Sequence, residues 1–342
     1  MQQCSQRNTS NRECDTMIII AEYGRDNLAT VYVAQMRETA SSEKSDHRYF
    51  LEFVESFQPP LPLEKKWVLI VSTLFGCPVQ CLMCDAGSHY LGTLSAEEIF
   101  AQIDFLVRKR FPNGSIPVEK FKIQFARMGE PSFNRNVLKV LEGLPSRYNA
   151  PGLIPSLSTI APVGTDRFFE RLLEIKKKRY TEGQFQLQFS IHTTDEKLRD
   201  KLMPVKKWKF AQIARYGTKF YQEDDRKITL NFALAEEMPV EPNILYQHFD
   251  PDIFLIKITP LNPTYQVIQN RLTSYIDPLQ KEKEYTVVEA LRSLGYEVII
   301  SIGEVEENHI GSNCGQYLMK HLTAKEHIEN GYGYGTKDSI VL

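Results

Sequence analysis

No apolar run in this 342-residue chain approaches the roughly 18 residues that a membrane span needs. The polar opening MQQCSQRNTSNREC also lacks the apolar stretch of a secretory signal, so a soluble, cytoplasmic protein is expected. Cysteine is sparse, with six in the chain at 4, 14, 77, 81, 84 and 314. The crowding of three of them into residues 77–84 argues against a disulfide framework and for a metal site. Excess charge is missing too. With 41 Lys and Arg against 43 Asp and Glu the net charge is -2, which excludes the strong positive field of a nonspecific nucleic-acid binder. Local basic clusters exist at Lys176, Lys177, Lys178 and Arg179 and at Lys206, Lys207 and Lys209. They could meet phosphates, but cations at a helix C-terminus also complement its dipole and stay solvated.

With 42% hydrophobic and 25% charged residues, the composition is that of a globular protein with a sizeable core. Met17–Ala21 and Thr30–Gln35 flank a turn around Gly24–Asn27, which reads as a hairpin, and the polar residues 36–48 read as a mobile loop. The division expected is an N-terminal appendage over 1–60, a core domain over 61–320 and a C-terminal tail over 321–342. In the core, short β-branched runs alternate with helical stretches, the signature of βα units around a parallel sheet. The strand candidates are 67–72, 121–126, 154–159, 185–191, 228–234, 253–259 and, last, 297–301. Helices are expected after a capping box at Ser95 and Glu98, near 135–143, 166–177 and 210–221, and near 281–294. The fold class is therefore α/β, an open sheet or incompletely closed barrel whose ligands lie beyond the carboxyl ends of the strands.

The segment VSTLFGCPVQCLMCDAG places Cys77, Cys81 and Cys84 as C-x3-C-x2-C just after the first core strand. Thiolates so spaced can wrap one [4Fe-4S] cluster, with Gly76 allowing the tight entry. Three ligands leave one iron open to chelate the amino and carboxylate groups of S-adenosylmethionine (SAM), whose reductive cleavage gives a 5′-deoxyadenosyl radical. The alternative is a zinc site with Asp85 or His89 as fourth ligand, although structural zinc normally pairs two separated short motifs and no second pair is present.

Other candidates recur at strand ends. Gly129 and Glu130 follow the second core strand, where glycine permits close backbone approach and a carboxylate can meet an ammonium. Ser158 and Thr159 end the third strand and can bond a ribose or carboxylate. Ser190, Ile191 and His192 end the fourth, with His192 assigned to binding rather than acid-base duty. Asn262, in ITPLNP, has the donor-acceptor amide suited to an adenine edge. Cys314 in GSNCGQ is either a buried small hydrophobe or, in a polar loop near the sheet's C-terminal end, a nucleophile.

Taken in order, SxxxGCxxxCxxC, MGEP, an STxxP-like turn, SIH, TPLNP and NCGQ resemble the radical SAM adenosine methyltransferases of the RlmN/Cfr group over about residues 17–320. The resemblance implies a partial (β/α)6 TIM-like barrel and methylation of an adenine carbon in ribosomal or transfer RNA. It implies a cluster on Cys77, Cys81 and Cys84 and a SAM site lined by Gly129, Glu130, Ser158, Ser190, Ile191, His192 and Asn262. Cys314 matches the cysteine that receives a methyl group, loses a hydrogen to the radical and adds to the base. A flavodoxin- or ferredoxin-type electron donor is implied as partner. Four departures stand out. Ile70 occupies the position of the resolving cysteine, Ala29 that of a glutamate, Met83 replaces an aromatic residue, and the usual N-terminal helical RNA-binding domain is absent or much shortened. Cys4 or Cys14 would have to substitute for the resolving thiol.

Three functions therefore compete. A methyltransferase acting through Cys314 on an adenosine of RNA or a related heteroaromatic makes both S-adenosylhomocysteine and 5′-deoxyadenosine. A radical enzyme abstracting hydrogen without methyl transfer makes only the second. A non-catalytic, zinc- or cluster-structured RNA-binding module makes neither.

Overall fold

The structure, a computed structural model, describes residues 17–36, 49–88, 90–280, 282–324, 328 and 331–333. Cys4, Cys14, His89, all but the first residue of the polar loop expected at 36–48, and most of the tail expected at 321–342 lie outside the described residues.

The chain begins with β1 (Ile18–Arg25) and β2 (Ala29–Gln35), a hairpin in which Arg25 faces Ala29. Next come β3 (Phe50–Ser56) and β4 (Trp67–Val71), each antiparallel to the strand before it. A small two-stranded ribbon, β5 (Leu74–Gly76) and β6 (Tyr90–Thr93), brackets the cysteine loop. The core then alternates α1 (Ala96–Arg110), β7 (Phe121–Phe125), α2 (Asn136–Arg147), β8 (Leu153–Thr159), α3 (Asp166–Arg179) and β9 (Gln186–Ser190). It continues through α4 (Glu196–Leu202), α5 (Phe210–Phe220), β10 (Ile228–Ala233), α6 (Pro242–His248) and β11 (Phe254–Thr259). The chain closes with α7 (Tyr265–Gln269), α8 (Thr286–Ser293), β12 (Val298–Ile300), α9 (Val305–Ile310) and α10 (Leu318–Thr323).

Ten strands form one sheet in the order β1-β2-β3-β4-β7-β8-β9-β10-β11-β12, parallel from β4 onward. Among the described residues the sheet ends at β1 and β12, so it forms a partial barrel that does not close. The N-terminal strands are hydrogen-bonded to the core through β3 and β4 and extend its sheet.

Strand alternation explains both faces. Phe121, Ile123 and Phe125, Leu187 and Phe189, and Ile256 and Ile258 are buried against the helices, with Trp67 stacked on Phe121 at 4.9 Å. The residues between them, among them Lys122, Gln124, Ser158, Asn231 and Lys257, are half-buried on the opposite face. On that face Gln188 donates to Ser156 at 2.8 Å and Asn231 to Gln188 at 3.2 Å. The four inter-strand steps from β7 to β11 would span about 19 Å in a flat sheet. Lys122 on β7 and Lys257 on β11 nevertheless lie within each other's field, so the sheet curls into a bowl with the polar face inside.

The capping box opens α1 as expected, Ser95 accepting from the Glu98 amide at 3.1 Å and Glu98 accepting from the Ser95 amide at 2.7 Å. The helix expected near 281–294 instead starts at Thr286. Asp277 turns the preceding segment, its carboxylate accepting the Leu279 amide and its own amide donating to the Tyr285 hydroxyl, both at 2.9 Å.

Candidate functional site at the mouth of the bowl

The cysteine loop is held from three sides. Its entrance is paired to β6, Leu82 donates to the Leu202 carbonyl at 2.9 Å, and Asp85 is clasped from the far end of the chain. The Asp85 carboxylate accepts the amides of Tyr265 at 3.1 Å and Gln266 at 3.0 Å and the Tyr332 hydroxyl at 3.1 Å. Held in this way, Asp85 anchors the loop. Behind the loop lies an apolar cluster including Val79, Ile160, Met203, Met238 and Leu261, with Met83 packed against it.

Cys77, Cys81 and Cys84 are unbridged, and burial raises all three thiol pKa values, that of Cys77 to about 11. Amides of Val79, Gln80 and Glu130 oppose this at Cys77 by donating to its sulfur. Cys81 feels the charge of Cys84, and both also feel Cys77 and Cys314. Ionising three such thiols together requires a cation between them. Among the described residues, no three His, Cys, Asp or Glu side chains converge on a single-ion site. Four-coordinate zinc, with Zn–S near about 2.3 Å, needs that convergence, whereas a cubane spreads its thiolates over separate irons. The donor set, three unbridged thiols in one loop with amides aimed at sulfur, fits a cluster.

Cys314 sits on the Cys84 side of the loop. Asp85 donates to the Gly315 carbonyl at 2.8 Å, and Thr264 donates to the Met83 carbonyl at 3.1 Å. Gly315 has φ +85°, and a Cβ there would meet the Met83 oxygen at 2.9 Å, so only glycine allows this approach. Asn262 donates its side-chain amide to the Cys314 carbonyl at 2.9 Å. Arg127, just past β7, donates to the carbonyls of Gly311 at 2.8 Å, Ser312 at 3.3 Å and Asn313 at 3.2 Å. The same guanidinium pairs with buried Glu52 of β3 at 2.6 Å, and Glu52 accepts the Met319 amide at 2.8 Å. The Cys314 thiol is solvent-accessible, and the surrounding protein raises its pKa while Arg127 and Lys257 counter the rise.

The remaining candidates divide. Gly129, at φ +97°, packs so closely on Leu74 that a Cβ would lie 2.4 Å from its Cγ. Glu130 is buried and internally satisfied, accepting from the Ser132 hydroxyl at 2.7 Å, the Thr159 hydroxyl at 2.5 Å and the Ile160 amide at 2.9 Å. Its charge nonetheless acts on Cys77 and Cys81. Ser158 and Ser190 lie on the inner face at strand ends, while the Ile191 side chain belongs to the helix-side core. His192, at φ +65°, accepts the Ala233 amide on Nδ1 at 3.0 Å, and burial with Arg199 nearby lowers its pKa to about 3. The imidazole is therefore neutral, with Nε2 as its N–H. Of the basic clusters, Lys176 pairs with Asp225 and Lys207 with Asp200, both internally.

No protein-family model matches the chain. Two curated relatives, each called "Probable dual-specificity RNA methyltransferase RlmN", come from Salinispora tropica and Thermus thermophilus. The first is 24% identical over 85% of this chain and 77% of its own length, the second 29% over 76% and 70%. A radical SAM methyltransferase from Sphaerobacter thermophilus has the same fold, with a TM-score of 0.62 at 19% identity over 88% of this chain and 81% of that one.

The chain is similar to the RlmN RNA methyltransferases.

Within this RlmN-like frame, Ile70 on β4 packs into an apolar cluster with Val54 and Ile20, and Ala29 is fully buried in the same cluster. Among the described residues the only cysteines are the triad and Cys314. The side chains that the motifs did not reveal are Arg127, Glu52 and Asp85, which tie the Cys314 and cysteine loops to the fold, and Lys122 and Lys257 on the polar inner face. A lone lysine within each of the apolar strands FKIQF and IFLIKIT was the available signal for the last two.

Proposed function

We propose that the protein is a radical SAM methyltransferase that holds a [4Fe-4S] cluster on Cys77, Cys81 and Cys84 and carries the transferred methyl group on Cys314. When bound, the cluster with SAM supplies the electron and the radical. The chain's own residues do the rest. The Gly129 backbone and Ser158, Ser190, Ile191 and His192 border the space for SAM at the strand ends, with Glu130 ordering the turn beside the cluster. Asn262 enters this proposal differently from its sequence expectation, because its amide bonds Cys314's carbonyl rather than facing an open pocket. Arg127 and Asn262 hold the Cys314 loop still, and Lys257 and Arg127 favour its thiolate. The substrate is an adenosine of RNA or a related heteroaromatic compound, and an RNA base would have to be unstacked to enter the bowl.

The direct contact of the Cys314 loop with the cluster loop, through Asp85 and Gly315, supports this reading best. A second reading, hydrogen abstraction without methyl transfer, is favoured by the apolar setting of Ile70 and Ala29, which leaves no resolving thiol or carboxylate at those positions. Peptide mass spectrometry of protein reconstituted anaerobically and incubated with SAM and a low-potential reductant such as dithionite separates the two. One added methyl on Cys314, with S-adenosylhomocysteine released, supports methyl transfer. An unmodified Cys314 alongside 5′-deoxyadenosine supports the second reading and overturns the first.

A further inference from the structure

Tyr332 follows Cys314 in the chain, in the segment Gly331-Tyr332-Gly333, and reaches back between the two cysteine loops. Its hydroxyl makes two contacts at once. It donates to the Asp85 carboxylate at 3.1 Å and accepts the Tyr317 amide at 2.9 Å, so one oxygen bridges the residue after Cys84 and the third residue after Cys314. The Tyr332 amide donates to the Asn308 carbonyl at 2.9 Å, which also accepts the Gln316 side chain at 2.9 Å. Asn308 in turn accepts from the Asn313 side-chain amide at 2.8 Å. Tyr332 is therefore tied to the Cys314 loop on both sides of the cysteine.

The ring is seated as firmly as the hydroxyl. It is buried, stacks on His321 at 4.7 Å with the planes 7° apart, and lies 6.0 Å from Tyr265, whose amide also donates to Asp85. Gly311 at φ +78° leaves the ring its space, since a Cβ there would lie 2.8 Å from two ring carbons. Tyr332 itself is held at φ +51°, in the left-handed region that an aromatic residue seldom adopts. Such a conformation persists only where the surroundings over-determine it, and it collects at functional sites. Fixing a chain end against an apolar cluster needs only the ring. A hydroxyl shared between two loops also sets their separation.

We propose that Tyr332 is a positioning residue, holding the Cys314 loop in register with the cysteine loop through Asp85 and Tyr317 and making the C-terminal segment a working part of the site. Its catalytic consequence rests on the reading in which Cys314 carries the methyl group. A reacting group misplaced by about 1 Å can lose on the order of 100-fold in rate.

The test is hydrogen–deuterium exchange of the full chain, read on overlapping peptides by mass spectrometry, in Tyr332→Phe, which keeps the ring and removes the hydroxyl. The Tyr317 amide loses its acceptor directly. The Asp85 amide, which bonds Gly315 and not Tyr332, reports the coupling between the loops. Exchange at both should quicken at least tenfold, while the Leu82 amide, bonded to Leu202, keeps its protection. Ile328→Ala is the control, because Ile328 packs against the same apolar cluster and, among the described residues, hydrogen-bonds neither loop. That variant should loosen the chain end and leave both loops protected. With iron and sulfide content unchanged, Cys314 methylation should fall at least tenfold in Tyr332→Phe and stay within twofold in Ile328→Ala. Unchanged Asp85 exchange in Tyr332→Phe, or equal loosening of both loops in Ile328→Ala, overturns the proposal. Exchange needs no turnover, so a wild type never methylated on Cys314 sinks the methyltransferase reading and leaves this measurement standing.

Discussion

The backbone amide of Asp85 donates to the carbonyl of Gly315 at 2.8 Å, joining the residue after Cys84 to the residue after Cys314. Two cysteines 230 positions apart in sequence are thereby brought into neighbouring loops, with Gly315 packed against Met83 and Cys84. The placement of Cys314 is thus a property of the fold and does not wait for a ligand.

Gly315→Ala should disturb this contact. An alanine at φ +85° is strained by about 1–3 kcal/mol, and its Cβ would press on the Met83 oxygen. Iron and sulfide content should stay near wild type while Cys314 methylation falls at least tenfold, read by peptide mass spectrometry. Equal methylation in the variant would show that the close approach is not needed.

Arg127→Met should cost about 3–5 kcal/mol in denaturant unfolding, since it leaves buried Glu52 charged and unpaired. The double variant Arg127→Met, Glu52→Leu should recover most of that stability. Cys314 methylation should not recover with it, because the carbonyls of residues 311–313 still lack their donor. Recovery of both would reduce Arg127 to a structural ion pair.

Much of this was legible from residues alone. The strands of the core announced themselves by β-branched runs, and the triad by its spacing. β3 was hidden because Glu52 and Glu55 interrupt its apolar pattern; both are buried and paired, Glu52 with Arg127 and Glu55 with Arg110 and the Trp67 indole. The partners lie as far as 75 residues away, and a local pattern does not report them. Asn262 illustrates the same limit at the site. Its amide chemistry was clear, but its nearest acceptor, the Cys314 carbonyl, comes from a loop 52 residues later. The polar inner face was readable as alternation in FKIQF and ITLNFA, yet only the curl of the sheet brings Lys122 opposite Lys257.

His192 gives a pH signature. Its pKa falls from 6.5 unfolded to about 3 folded, so the unfolded chain takes up a proton first as the solution is acidified. Its contribution to stability is complete above pH 6.5 and is lost as pH falls toward 3. His192→Asn, which tolerates the positive φ and keeps an acceptor for Ala233, should flatten this part of the stability profile measured by urea unfolding. An unchanged slope would mean that the imidazole is charged in the folded state.

Everything at the mouth of the bowl depends on what the triad holds. The direct measurement is metal and sulfide analysis of anaerobically purified protein, joined to electron paramagnetic resonance of the reduced sample with and without SAM. About four irons and four sulfides per chain are expected for a single cubane, with a signal that changes when SAM is added. Loss of iron is expected in Cys77→Ala, Cys81→Ala and Cys84→Ala but not in Cys314→Ala. Stoichiometric zinc in place of iron, or a reduced-cluster signal indifferent to SAM, would contradict the central claim.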